Sequence, residues 1–351
     1  MISCEGSKIE MGVNMKRNYS IDLLRIFCCY CIIMLHASAH LDSTGNFWRL
    51  VQGVVRPALW CFLSLSGYFI LSKPIVKWSE FYFRHLLHLL IPLVFYTFIY
   101  QLYYSNGGRI SLLAILAGDS VGHLWFVYSL TVLYILAPFL QKMLTNLTIA
   151  QLNGLLITMF FCGRIINIMT ALGVGIGIPI SVIGNCDLFF FILGYWLFRT
   201  KVNVSCKIIL PLLIINIIYC GYTFTNPILI NGTADLSLSM VSGVLLYFFL
   251  FSKLFASWHN GLKIIEFVSA RTYGIYLIHM LIFQYFIVSG ILELDPYSHS
   301  HLWVLPLKCF VIFVLGLLFS TVIDFIICNP VEKVMQRIIG HLYGKCSKAA
   351  T

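Results

Sequence analysis

The sequence predicts an all-α polytopic membrane protein of about ten transmembrane helices, with both termini cytoplasmic. Three observations carry this. The first is composition: 60% of the 351 residues are hydrophobic and 10% are charged, with a mean hydropathy of +0.91. A soluble domain carries about a quarter charged residues, so this chain cannot cover a water-facing surface. The second is ten separate apolar runs, each close to the ~20 residues that a bilayer core takes. The third is an uneven distribution of Lys and Arg between alternate loops, the signature of membrane orientation.

The runs follow in order, each bounded by turn chemistry or charge. Residues 1–16 are polar and show no signal-peptide pattern. Met15-Lys16-Arg17 reads as a more natural start than Met1, which leaves residues 1–14 as an over-long start of the reading frame or a loose tail. The first run is 21–39. Asp42-Ser43-Thr44-Gly45 breaks it from the second, 50–71, and Lys73-Pro74 separates that from the third, 86–104. Asn106-Gly107-Gly108 precedes 122–141, then comes 148–169, and Gly173 to Pro179 leads to 181–198. The last four are 206–224, 237–256 after Asn231-Gly232, 268–289, and 303–328 after Asp295-Pro296. No loop is long enough to fold alone, so 17–330 reads as one membrane domain between the 1–16 tail and a basic tail, 331–351. No internal repeat is evident.

If the N-terminus, the even-to-odd loops and the C-terminus share a side, that side holds seventeen basic residues, among them Lys73, Lys77, Arg84, Lys142, Arg199, Lys253 and Lys263. The other side holds four: Arg49, Arg56, Arg109 and Arg164. The rich side is the cytoplasmic one. An even number of spans follows independently from that placement.

Within the first run stand Asp22, Arg25 and His36. Arg25 and His36 are eleven residues apart, about three helical turns with ~20° of drift, so both lie on one face roughly 16 Å apart along the axis. Asp22 is three before Arg25 and within reach of it. Two readings stand on these residues alone. Arg25 snorkels to headgroups and His36 bonds a neighbouring helix, or both mark a functional site, because ionisable groups are expensive in lipid. Asp22 has the same duality: a partner of Arg25, or an acid favoured by the helix dipole.

The motif Ile21-Asp22-Leu23-Leu24-Arg25 followed by His36 resembles the opening helix of the membrane-bound acyltransferase-3 family, bacterial O-acyltransferases of cell-surface glycans. Further segments are similar to that family in the same order: Phe62-Leu63-Ser64-Leu65-Ser66-Gly67-Tyr68, the basic stretch 81–92 ahead of Pro92, His123-Leu124-Trp125-Phe126, Phe190 to Trp196, and Thr272 to His279. The chain departs from the pattern after Arg84, where a second arginine is usual and His85 and His88 stand instead.

The resemblance implies an integral O-acyltransferase of the bacterial inner membrane. Its donor is cytoplasmic acyl-CoA, with acetyl the expected group, and its acceptor is a hydroxyl of a cell-envelope polysaccharide or a lipid-linked precursor. Arg25 and Arg84, with His88 and Asp22 beside them, are the expected donor-binding residues, since guanidinium suits phosphate. His36 is the expected catalytic residue, as base for the acceptor hydroxyl or as a transient acyl carrier. His123, Trp125 and Arg164 are candidates for the acceptor path; Trp125 equally fits an interfacial aromatic belt. Tyr276 and His279, one turn apart in the ninth run, fit interhelix hydrogen bonding.

Other chemistries lack support. The net charge of +10 sits in short loops and reports topology rather than nucleic-acid binding. Most of the twelve cysteines lie in apolar runs as small hydrophobes, with no zinc spacing. No P-loop, dinucleotide or zinc-protease motif occurs, so no bound cofactor and no metal is expected. A transporter or flippase of a lipid-linked sugar is the alternative. Its expected paired helix breaks are matched only by Gly173 to Pro179, which falls in a loop.

Overall fold

The computed structural model describes residues 18–38, 45–104, 122–173, 183–224, 236–256, 263–288 and 304–337. These form ten α-helices, and no strand occurs among the described residues. They are α1 Tyr19–Ser38, α2 Asn46–Ile70, α3 Trp78–Tyr104, α4 Trp125–Thr145, α5 Ile149–Ala171, α6 Cys186–Thr200, α7 Cys206–Phe224, α8 Leu238–Leu254, α9 Lys263–Val288 and α10 Val304–Ile323. A short 3-10 turn, Gly122–Leu124, leads into α4. The turns expected at 42–44, 106–108, 174–179, 231–232 and 295–296, and both terminal tails as far as residue 17 and from 338, lie outside the described residues.

All ten predicted runs correspond to helices. Seven are long and apolar enough to cross a membrane by length and composition. α6 and α8 have 15 and 17 residues. α3 and α10 extend furthest past their apolar runs. α3 begins at Trp78, eight residues before its run, on an amphipathic turn with Glu80 at its start. α10 passes through a π turn, Asp324–Cys328, and continues to Arg337. An apolar-run criterion is blind to such polar helical ends.

Local chemistry supports these boundaries. Asn185 caps α6 by accepting from the Leu188 N–H at 2.8 Å, and Ser237 caps α8 through the Met240 N–H at 3.3 Å. Lys201 ends α6 in the left-handed conformation, φ 46°. Pro57, Pro92, Pro138 and Pro211 sit inside helices, which spans tolerate because neighbouring groups re-satisfy the freed carbonyls.

Burial separates centre from periphery. In α2, 72% of the apolar stretch is buried and in α1 61%, against 22% in α5, α7 and α10; the first pair are interior and the latter three face outward. Lipid is as apolar as leucine, so spans associate through close backbone packing rather than hydrophobic exclusion. α2 does this with glycine. Gly67 lies against the Phe191 backbone of α6, and Gly194 of α6 lies against the Ser64 backbone. Towards its other end α2 repeats the device with α7, through Gly53 on Ile217 and Gly221 on Arg49. A Cβ at any of the four would overlap a carbonyl.

α1 and α9 run parallel side by side. Tyr19 donates to Glu266 at 2.7 Å, Ser269 donates to Asp22 at 2.7 Å, the Cys29 thiol faces the Thr272 carbonyl at 3.6 Å, and His36 meets His279. α3 runs along α9 in the same direction, with the Tyr273 hydroxyl on the Leu89 carbonyl at 2.7 Å and Tyr100 on Leu277 at 3.0 Å. α4 returns antiparallel to α3, pairing Tyr82 with Ile135 and Tyr100 with His123. The far ends of α1, α3 and α9 and the start of α4 thereby converge.

Candidate active site

Two polar groupings lie along α1. The first surrounds Arg25, which is 5% exposed. Its guanidinium lies inside the bundle. It stacks over the Phe69 ring of α2, 4.9 Å from the centroid, in cation–π geometry. Tyr134 of α4 lies beside Ser66 and within electrostatic reach of Arg25. Asp22, also 5% exposed, accepts from Ser269 Oγ of α9.

The basic stretch of α3 divides its residues between surface and interior. Arg84 is half exposed, with its Nη2 3.8 Å from Glu80 one turn earlier. His88 Nδ1 lies 3.0 Å from Glu332, on the continuation of α10. His85, the residue between, turns inward: its ring is 4.4 Å from Phe81 and 6.3 Å from Tyr134. Its Nδ1 is buried without a hydrogen-bond partner among the described residues. The side chain that faces the Tyr134 region is thus one that sequence spacing did not select.

The second grouping is three histidines from three elements. His36 ends α1, His123 stands in the turn before α4, and His279 is in α9. Ring centroids are 5.2 Å for His36–His279, 5.3 Å for His123–His279 and 6.3 Å for His36–His123. Tyr100 and Tyr276 complete the cluster, with rings 5.2 Å and 6.1 Å from His123.

Hydrogen bonds fix much of its protonation. Tyr100 Oη donates to the Leu277 carbonyl and accepts from the Leu281 N–H, each at 3.0 Å. A carbonyl only accepts, so the phenol proton lies on the first bond, and in the 3.4 Å contact with His123 Nε2 the imidazole is the donor. Tyr276 Oη donates to the His123 carbonyl and anchors the turn. His279 Nδ1 lies 2.6 Å from the Tyr276 carbonyl, so Nδ1 carries its proton. His279 Nε2, in a side chain 1% exposed, has no hydrogen-bond partner among the described residues. Leaving a buried acceptor unpaired costs about 1–3 kcal/mol.

The remaining expected residues lie at the margin. Trp125 is 43% exposed and tilts against Trp60, centroids 6.4 Å apart. Arg164, on α5, has a buried Nη1 without a hydrogen-bond partner among the described residues. No contact among the described residues ties it to the histidines. Tyr100 escaped sequence reading because nothing in its neighbourhood marks it. His279 carried a signal, its place one turn after Tyr276, but only the parallel pairing of α1 and α9 joins it to His36. No group of metal-binding side chains occurs among the described residues.

Ten helices among the described residues, seven of them long and apolar enough to cross a membrane, with buried charged side chains and glycine-mediated crossings, define an all-α polytopic membrane protein. A sequence model of the acyltransferase-3 family, described as an acyltransferase domain, matches residues 18–325, and the chain belongs to that family. The protein is a membrane acyltransferase. No curated protein and no solved structure matches the chain in the same comparisons.

Proposed function

We propose that the protein is an O-acetyltransferase of the bacterial inner membrane, its termini cytoplasmic. It moves acetyl from cytoplasmic acetyl-CoA to a hydroxyl of a cell-envelope polysaccharide or a lipid-linked precursor. The observation that carries this reading is the arrangement along α1. A buried guanidinium stands near one end, and a histidine grouped with two others stands at the opposite end.

The positive-inside bias assigns the Arg25 end to the cytoplasm. There a fixed, forked cation suits the phosphates of coenzyme A. Asp22 holds α1 to α9 through Ser269 and keeps Arg25 in place. Arg84 and His88 exchange Glu80 and Glu332 for donor phosphates when the donor arrives. At the other end His36 takes the proton of the acceptor hydroxyl. The hydroxyl oxygen bonds to the acyl carbon, the carbon–sulfur bond of the thioester breaks, and the departing thiolate ends as the protonated thiol. General-base assistance of this kind contributes about 10²–10⁴ in rate. Trp125 offers a ring face to a sugar, His123 lines the approach, and Arg164 suits an anionic acceptor.

The test is His36→Ala as the sole copy in the source strain. Membrane vesicles receive radiolabelled acetyl-CoA, and alkali-labile label is measured in the envelope carbohydrate. The label is expected to fall to background while the variant inserts at the normal level. Undiminished label in that variant overturns the mechanism.

A further inference from the structure

His279 is the one member of the cluster with a bare lone pair held in a dry place. Its Nδ1–H is committed to the Tyr276 carbonyl. Its Nε2 is buried and has no hydrogen-bond partner among the described residues. The rings of His36 and His123 lie 5.2 Å and 5.3 Å from it. His123 Nε2–H is already directed at Tyr100, which leaves His36 as the neighbour able to supply a proton. The His36–His279 spacing brings two imidazole nitrogens within hydrogen-bond reach once the rings turn edge-on.

We propose that His279 is the positioning residue for His36, accepting an N–H from its ring through Nε2. This rests on the reading of His36 as the base. Neutral His36 has one ring N–H. Donating it to His279 leaves the other nitrogen as the lone pair that meets the acceptor hydroxyl. When His36 takes that proton it becomes an imidazolium with an N–H on each nitrogen, and the bond to His279 stabilises the new charge. The proton then passes to the departing thiolate, and the pair returns to its starting state. The logic is that of a base oriented by a third group, here with an imidazole as the orienting acceptor. The backbone carbonyl of Tyr276 fixes that imidazole's own tautomer.

Two substitutions separate this role from a packing role. In His279→Asn the amide sits near the δ position. It keeps a donor for the Tyr276 carbonyl but has nothing where Nε2 was. In His279→Gln the amide oxygen reaches the ε position, and the Tyr276 bond is lost. Initial rates are measured in the same vesicles with acetyl-CoA varied, together with melting temperatures of the purified proteins. His279→Asn is expected to lower kcat at least tenfold with the acetyl-CoA KM within twofold, and His279→Gln is expected to recover a substantial part of kcat. Full activity in His279→Asn overturns the proposal, as does a His279→Gln variant no better than Asn. If Asn also lowers the melting temperature, the Gln variant decides alone, since activity without the Tyr276 bond requires the ε acceptor. His36→Ala runs in parallel. Label retained there defeats the reading of His36 itself, whereas an inactive His36→Ala beside a fully active His279→Asn defeats only the role of His279.

Discussion

At the scale of single residues, Arg25 is held in a way that lysine cannot reproduce. Its planar cation lies on the Phe69 face and presents forked donors, whereas an ammonium is a compact, strongly hydrated point charge. If Arg25 grips donor phosphate, Arg25→Gln removes a charge-assisted hydrogen bond of about 1.5–3 kcal/mol. Acetyl-CoA binding is then expected to weaken roughly 10–100-fold at that free-energy loss, with Arg25→Lys recovering only part. Titration of purified protein with acetyl-CoA checks this, and unchanged affinity in Arg25→Gln removes Arg25 from the donor site. Arg25 stood out in sequence, because a charge inside an apolar run is conspicuous, and the structure places it in the interior. The division of labour on α3 was not. Arg84 and His88 share a face by spacing, but their carboxylate partners include Glu332, 244 residues away from His88. No local pattern announces such a partner.

At the scale of elements, α2 is positioned by what it lacks. Gly67 and Gly194 allow α2 and α6 to touch backbone to backbone, and Gly53 and Gly221 do the same for α2 and α7. Apolar-run analysis finds each of these helices but says nothing of which partners it chooses, because a small residue in a hydrophobic stretch looks alike at a crossing and on a lipid face. Gly67→Val puts a branched side chain where the Phe191 carbonyl already lies. Overpacking alone costs about 1–3 kcal/mol, and here the obstacle is backbone that cannot turn aside. Gly154 of α5 has open space around it, so Gly154→Ala gains helix propensity, about 1 kcal/mol at most. Thermal denaturation in detergent is expected to show a clear loss for Gly67→Val and no loss for Gly154→Ala. Equal melting temperatures for the two would mean that the α2–α6 crossing does not hold the bundle.

At the scale of the whole molecule, ten helices were legible because a bilayer imposes one length and one polarity on every span. The histidine cluster was not, because His36, His123 and His279 come from segments far apart in the chain and meet only through the packing of α1, α3 and α9. The direction in which the bundle sits decides what the two groupings along α1 can do. A donor site for acyl-CoA requires the Arg25 end to face the cytoplasm. The start of α4 and its end lie at opposite ends of one span, and Gly122 and Asn146 are both exposed there. With Lys142 drawing the end of α4 inward, Gly122 is expected outside and Asn146 inside. Single accessible cysteines at these two positions, in a background with Cys4, Cys162, Cys186, Cys206 and Cys346 changed to serine, distinguish the two orientations. A membrane-impermeant maleimide applied to spheroplasts is expected to label Gly122→Cys at once and Asn146→Cys only after lysis. The reverse order would place Arg25 at the outer face, away from any coenzyme A, and the donor would then have to be sought among molecules outside the cell.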